Sequence, residues 1–364
     1  MGKLSEFVIV FDKNCKLFHP GQTVSGSVVM ALTKPMKMKG IKLTVQGKAW
    51  CFWSETHAEL TTYYQGSESL LGVQVWIHGN STKFTNEAGR FSYPFNFVLP
   101  LTLPSSFEGS HGFIRYHISA EIDKPWKVNL KTTTAFGVHE LIDTNLPIYN
   151  SVRPSGSTHK NVGCCCCTSG PLELTVSIDR RAYCPGEHIL ITAKVQNNTT
   201  TDMNGMIAKL YRHVEYCGKA IVFKKFKTTS EKIAIMKSAR SIPKGQSCFW
   251  ENQPFLIPAT CPTSFKSSVI KVWYELSVEI NVSWGSNLTA KIIVVMGTVQ
   301  HLLSKSAPCL NSQSIECQTN PVLQNQTPSL ADTNQLSPVI DQQPVNPKLL
   351  SQPPPKNYGS MNKL

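Results

Sequence analysis

At 364 residues with a formal charge of +13, the chain is long enough for about two domains, each able to bury a core without disulfides or metals. Apolar runs stay well short of the roughly 20 residues that span a bilayer, and Met1 to Cys15 lacks a signal peptide's apolar stretch and cleavage site; a cytoplasmic chain with reduced cysteines is expected. The positive balance favours anionic lipid or phosphorylated tails as partners, and with the basic residues spread out and no arginine-rich run, no nucleic acid is expected.

Apolar residues alternate at Phe7, Ile9 and Phe11, turn through His19-Pro20-Gly21-Gln22, and alternate again at Val24, Val28, Met30 and Leu32, which predicts two strands joined by a turn. Ile41, Leu43 and Val45 give a third strand, which the aromatic stretch Trp50 to Trp53 continues or covers. Residues 54–90 are polar and weakly patterned, as a variable hairpin or loop region would be. Phe91, Tyr93, Phe95 and Phe97 alternate cleanly; Pro94 has no amide hydrogen for a ladder, so this strand belongs at an edge or a bulge. After a strand at Ile114 to Ile122, Trp126, Val128 and Leu130 stand against Lys127, Asn129 and Lys131, which predicts another strand with a basic solvent face.

Between Asp143 and Pro171 the pattern stops, and Pro, Ser and Gly mark a linker. Strands resume at Leu172, Leu174, Val176 and Ile178, turn at Pro185-Gly186 and run from Ile189 to Val195. Leu210, Val222, Phe226 and Ile257 are expected in this second core, and Val294 to Met296 ends the last strong strand. Past Gly297 the chain is rich in Gln, Asn, Ser and Pro, a composition that cannot bury enough apolar surface to fold.

The two halves echo each other. Pro104, Phe107, Tyr116, Ser119, Glu121 and Ile122 recur as Pro262, Phe265, Tyr274, Ser277, Glu279 and Ile280, an offset of 158 residues throughout. Pro20-Gly21 recurs as Pro185-Gly186, with alternating apolar residues after both. The period is far longer than a solenoid's, which predicts tandem copies of one fold. The expected class is all-β: a sandwich over 1–145, a linker over 146–170, a second sandwich over 171–299 and a disordered tail over 300–364.

These segments resemble the alpha-arrestins, the arrestin domain-containing proteins that include thioredoxin-interacting protein. The likeness is carried by PGQTVSGSVV (20–29), SSFEGSHGFIRYHISAEIDKPW (105–126), CCCCTSGPLELTVSIDRRAYCPGE (164–187) and PTSFKSSVIKVWYELSVEI (262–280). It implies two arrestin-type, immunoglobulin-like β-sandwiches in a non-enzymatic cytosolic adaptor. Such an adaptor binds cytoplasmic tails of membrane proteins such as receptors and directs their endocytic or endosomal transport, in peripheral association with plasma membrane and endosomes. Two other roles stay open: a scaffold for vesicle-coat components, and a redox regulator. The second rests on Cys248, near the position of the cysteine by which thioredoxin-interacting protein engages thioredoxin.

Tails of this family carry Pro-Pro-X-Tyr motifs that dock as polyproline II ligands on WW domains of HECT-type ubiquitin ligases. Here Pro353, Pro354 and Pro355 are followed by Lys356, Asn357 and Tyr358, so the tyrosine is swung off the proline face and direct ligase recruitment is put in doubt.

Cys164, Cys165, Cys166 and Cys167 are consecutive and diverge too far to wrap one tetrahedral zinc, whose ligand pairs lie about two to four residues apart. S-acylation, a zinc shared with Cys184 or a histidine, and plain packing of the linker all stay open for them. Lys127, Lys131, Arg180 and Arg181 are candidate contacts to an anionic surface, with ordinary solvated charge as the alternative. No nucleophile elbow, Walker-type loop, dinucleotide loop or paired-histidine motif occurs, so neither catalysis nor a cofactor is expected.

Overall fold

The computed structural model describes residues 3–12, 16–164, 167–221, 223–238, 240–282, 286–301 and 317–318, with the backbone alone over 163–169 and at 317–318. The first half runs β1 (Leu4–Phe11), β2 (Leu17–Phe18), β3 (Thr23–Leu32), β4 (Met36–His57), β5 (Leu60–Asn86), β6 (Gly89–Val98), β7 (Phe107–Gly109), β8 (Gly112–Asp123) and β9 (Leu130–Val138). A single helical turn, α1 (Pro147–Asn150), leads into the second half. There follow β10 (Ser155–Cys164), β11 (Cys167–Ile178), β12 (Ala182–Tyr183), β13 (His188–Asn197), β14 (Met206–Ala220), β15 (Phe223–Lys237), β16 (Ser247–Leu256), β17 (Phe265–Lys266), β18 (Ile270–Ile280), β19 (Leu288–Met296) and β20 (Cys317–Gln318).

Each half is a sandwich. One layer of the first is the antiparallel sheet β1-β3-β6, and one layer of the second is β10-β11-β13-β16-β20. The opposing layers are two halves of a continuous sheet, β12-β19-β18-β14-β5-β4-β8-β9-β2, joined across the molecule by the pair Lys219↔Gln65. Period-two patterning places the cores: Val24, Val28, Met30 and Leu32 of β3 are buried, as are Ile114, Tyr116, Ile118, Ala120 and Ile122 of β8 and Val272, Tyr274, Leu276, Val278 and Ile280 of β18. Each large side chain so buried contributes about 1.5–3 kcal/mol. Pro94 sits on β6, whose described ladder runs to β3 alone, an edge position of the kind that tolerates a missing amide hydrogen.

The duplication is visible atom by atom. Tyr116 donates its hydroxyl to the Pro104 carbonyl at 2.7 Å, and Tyr274 donates to the Pro262 carbonyl at 2.6 Å. The Ser106 hydroxyl accepts the Val138 amide at 2.9 Å, and the Ser264 hydroxyl accepts that of Met296 at 2.9 Å. Gly21 (φ +80°) and Gly186 (φ +88°) hold the two Pro-Gly turns in the left-handed region that glycine adopts without strain. Their amides bond to the carbonyls of Leu99 and Ile257. The two copies also touch: Ser105 and Thr263 share a buried hydrogen bond of 3.0 Å, and the rings of Phe107 and Phe265 meet edge-on at 5.2 Å. Equivalent residues therefore face each other across a pseudo-twofold seam, as in an isologous dimer.

Several sequence expectations are corrected. The stretch 146–170 is no extended linker, because Ser155–Cys164 pairs along β11 as a strand of the second sandwich. Its Ser, Gly, Thr and Asn residues hide a strand that shows little apolar alternation. Of the hairpin or loop expected over residues 54–90, the hairpin is what forms, from the end of β4 and from β5, where both faces are largely solvated and the period-two signal fades. Trp126 and Val128 lie in the turn before β9, not in a strand. Phe226 is exposed rather than core, and Val222 lies outside the described residues. Of the tail, His301 and β20 are described; β20 pairs with β16 at Ser247↔Gln318 and Cys248↔Cys317, and the rest lies outside the described residues.

Candidate functional site

The chain of β14 reverses at Ile221 and returns as β15, in register from Ala220↔Phe223 to Ile207↔Lys237. Among the described residues β14 is the only strand that pairs with β15, so the far side of β15 is an open edge 15 residues long. None of its residues is buried. The turn that starts it is strained: Ile221 has φ +54°, a region that branched side chains avoid, and it stands fully exposed beside Phe223 at 81%.

Charge sets this edge apart. Lys224, Lys225, Lys227, Lys232 and Lys237 lie on β15, with Glu231 as its acid. Glu231 is taken by Arg212 at 2.5 Å. Lys225 is bound by Glu55 of the β4–β5 hairpin and lies over the Tyr64 ring at 5.4 Å, and its bond to Glu55 holds its pKa above the ordinary lysine value. Lys224, Lys227, Lys232 and Lys237 have no acid within ion-pair distance among the described residues. Their field reaches neighbours. Burial lowers the pKa of Lys209, and the charges of Lys232 and Lys237 lower it further; His111 is held down by burial and then by Lys227.

An open strand offers backbone donors and acceptors to any extended chain, and lysines along it repel a basic strand and draw an acidic one, with little electrostatic preference for a neutral one. Chemically the edge is suited to adding an anionic peptide as a further strand.

Two family models cover most of the chain: the N-terminal domain of arrestin (or S-antigen) matches residues 7–145, and its C-terminal domain matches residues 168–301. The chain belongs to the alpha-arrestin family. It is 27% identical to arrestin domain-containing protein 17 of Caenorhabditis elegans over 83% of this chain and 72% of that protein. Mouse arrestin domain-containing protein 4 is 26% identical over 82% of this chain and 73% of its own length. Human thioredoxin-interacting protein is 23% identical over 86% and 80%.

This alpha-arrestin scatters the residues its sequence singles out. Lys127 is exposed in the β8–β9 turn and Lys131 is exposed at the start of β9. Arg180 is no surface contact: its guanidinium bonds to Asp179 at 3.1 Å and Glu187 at 2.8 Å and stacks on Tyr183 at 4.5 Å, leaving the side chain 12% exposed. Arg181 beside it is exposed. Cys164 and Cys167 are register partners in the β10–β11 hairpin; Cys165 and Cys166, and the side chains of all four, lie outside the description.

Cys248 is 3% exposed on β16, opposite Val195 of β13, so a partner reaches its thiol only if that strand opens. Pro353, Pro354, Pro355 and Tyr358 lie outside the described residues. Cys184, offered as a zinc ligand, is buried, and burial raises its pKa to about 11, which opposes the thiolate a metal needs. Among the described residues no three His, Cys, Asp or Glu side chains gather as metal ligands do, and no helix is long and apolar enough to cross a membrane. The β15 edge was missed in sequence because KKFK reads as solvated charge until topology shows the strand to be open.

Proposed function

We propose that this alpha-arrestin is a non-enzymatic adaptor that captures extended, acidic or phosphorylated segments of membrane-protein cytoplasmic tails on β15 and directs those proteins in endocytic or endosomal transport. The open lysine-bearing edge carries the reading. Main-chain hydrogen bonds supply affinity, the lysines select charge, and the Lys225–Glu55 pair ties the edge to the first sandwich. Such an adaptor works at the cytoplasmic face of the plasma membrane and endosomes. Linking its cargo to a HECT-type ubiquitin ligase is a further step that rests on Pro353 to Tyr358.

The test titrates labelled tail peptides, acidic or phosphorylated against alanine-substituted, into the full chain and into a variant with Lys224, Lys227, Lys232 and Lys237 changed to Gln. The acidic peptide should lose on the order of tenfold in affinity with the variant, since exposed pairs contribute up to about 1 kcal/mol each, and the neutral peptide should change little. Hydrogen exchange should show new protection along 224–237. Equal binding of both peptides, or protection on β1 or β10 instead, sinks the assignment.

A further inference from the structure

The turn between β8 and β9 bears a different surface. Trp126 at its apex has φ +59° and is 97% exposed, and Val128 is 87% exposed. Two large apolar side chains thus stand in water on a turn of defined shape. Asn129 closes it, accepting the Lys124 amide at 2.9 Å and donating to Glu121 at 2.6 Å. The nearby acids are engaged: Asp123 is paired with Lys42 at 2.8 Å, and Glu121 is held by Asn129 and lies opposite Lys131 in the ladder. Lys124, Lys127 and Lys131 form no ion pair among the described residues. The apex therefore offers an aromatic ring and a branched apolar side chain, with Lys127 exposed between them in sequence, Lys124 partly exposed just past β8 and Lys131 exposed at the start of β9.

A peptide partner needs walls to share. At 97% exposure nothing beside Trp126 supplies one. A fluid bilayer has no such requirement: its interface receives an amphipathic indole whole, and anionic headgroups attract lysines placed at the same depth. The charge around the ring decides between lipid surfaces, favouring anionic ones.

We propose that the β8–β9 turn is a membrane anchor, in which Trp126 and Val128 enter the interface of an anionic phospholipid bilayer while Lys124, Lys127 and Lys131 contact its headgroups. This goes beyond tail capture and does not depend on it. One turn of this size gives reversible binding, so the anchor positions the adaptor at a membrane rather than fixing it there.

The full chain is sedimented with vesicles of phosphatidylcholine plus phosphatidylserine and with vesicles of phosphatidylcholine alone, with no peptide present, so this experiment and the peptide titration fail independently. Binding should require phosphatidylserine and weaken with salt. Trp126→Ala should lower partitioning about tenfold, and Lys127→Gln about fivefold. Tryptophan emission should shift to the blue on adding anionic vesicles. Trp126→Phe should abolish the shift while keeping most of the binding, which separates contact from folding. No sedimentation of the wild type, undiminished binding of Trp126→Ala, or an unshifted emission overturns the anchor. So does loss of acidic-peptide binding in Trp126→Ala without any vesicle binding, which would assign the turn to a protein contact.

Discussion

At the seam the two sandwiches are close copies, Ser105 facing Thr263 and Phe107 facing Phe265, whereas the hairpin strands β5 and β15 share little: β5, joined to β14, has only Glu68 and Lys83 as full charges over 27 residues, and β15, at the open edge, has five lysines in 15. Residues that recur at a fixed offset are those the fold uses to close each sandwich and to join the pair. Those that diverge are free to recognise something. A duplicated protein thus sorts its own surface, and the sorting here points to β15.

The two buried tyrosines should respond alike if the sandwiches are equivalent. Tyr116→Ala and Tyr274→Ala should each cost about 3–5 kcal/mol, by analogy with other large aromatic truncations in cores, and the two losses should agree within about 1 kcal/mol. Urea denaturation of each variant measures this; a large inequality would mean that the copies no longer share one role. A smaller effect sharpens the seam itself. Ser105→Ala and Thr263→Ala should each cost about 1 kcal/mol by stranding a buried hydroxyl, and the double variant should cost less than their sum. Additive losses would show that the 3.0 Å contact carries no coupling.

Acid should affect the two sandwiches unequally. Burial lowers the pKa of His111, His117 and His139 in the first sandwich and of His213 in the second; Lys227, Lys131 and His19 lower the first three further in that order, while at His213 Glu275 works upward and Lys291 downward. A depressed folded pKa means that stability is full above the ordinary histidine value near 6.5 and is lost as pH falls through the lowered values. Glu140 opposes the trend, because burial raises its pKa and penalises its charged form. Thermal melts should therefore show falling stability between about pH 7 and pH 5, with the first sandwich yielding first in hydrogen exchange. A flat profile, or earlier opening of the second sandwich, would contradict the uneven placement of these histidines.

Much of the fold is legible in sequence wherever one face of a strand is buried. β3, β8 and β18 alternate because their inner faces meet a core, and the offset of 158 residues ties β8 to β18 before any contact is known. β10 is illegible for the opposite reason: Ser155 to Gly163 offers small and polar residues that look like a linker, and only its pairing with β11 reveals it. Trp126 and Val128 mislead differently, since alternation runs straight through a turn that Asn129 closes with its side chain. Arg180 looks like surface charge until Glu187, seven residues on, folds back to meet it. The candidate site sits between these cases. Its lysines are plain in the sequence, but an edge is a property of what fails to pair, and no local pattern records that.

The join between Asp143 and Val299 has a consequence for how the chain is made. Ile142 accepts and donates hydrogen bonds to Thr298, and the Thr144 hydroxyl donates to the Val299 carbonyl at 2.7 Å. While a ribosome is still building the second sandwich, residues 142–144 have been synthesised but their partners do not yet exist. The nascent first sandwich therefore waits with an unfinished margin for the whole of that interval, and closure comes only once residue 299 has cleared the exit tunnel. Such late, long-range closure is slow and leaves strand edges open to misassembly, so this protein should lean on chaperones during synthesis more heavily than the stability of its finished seam suggests.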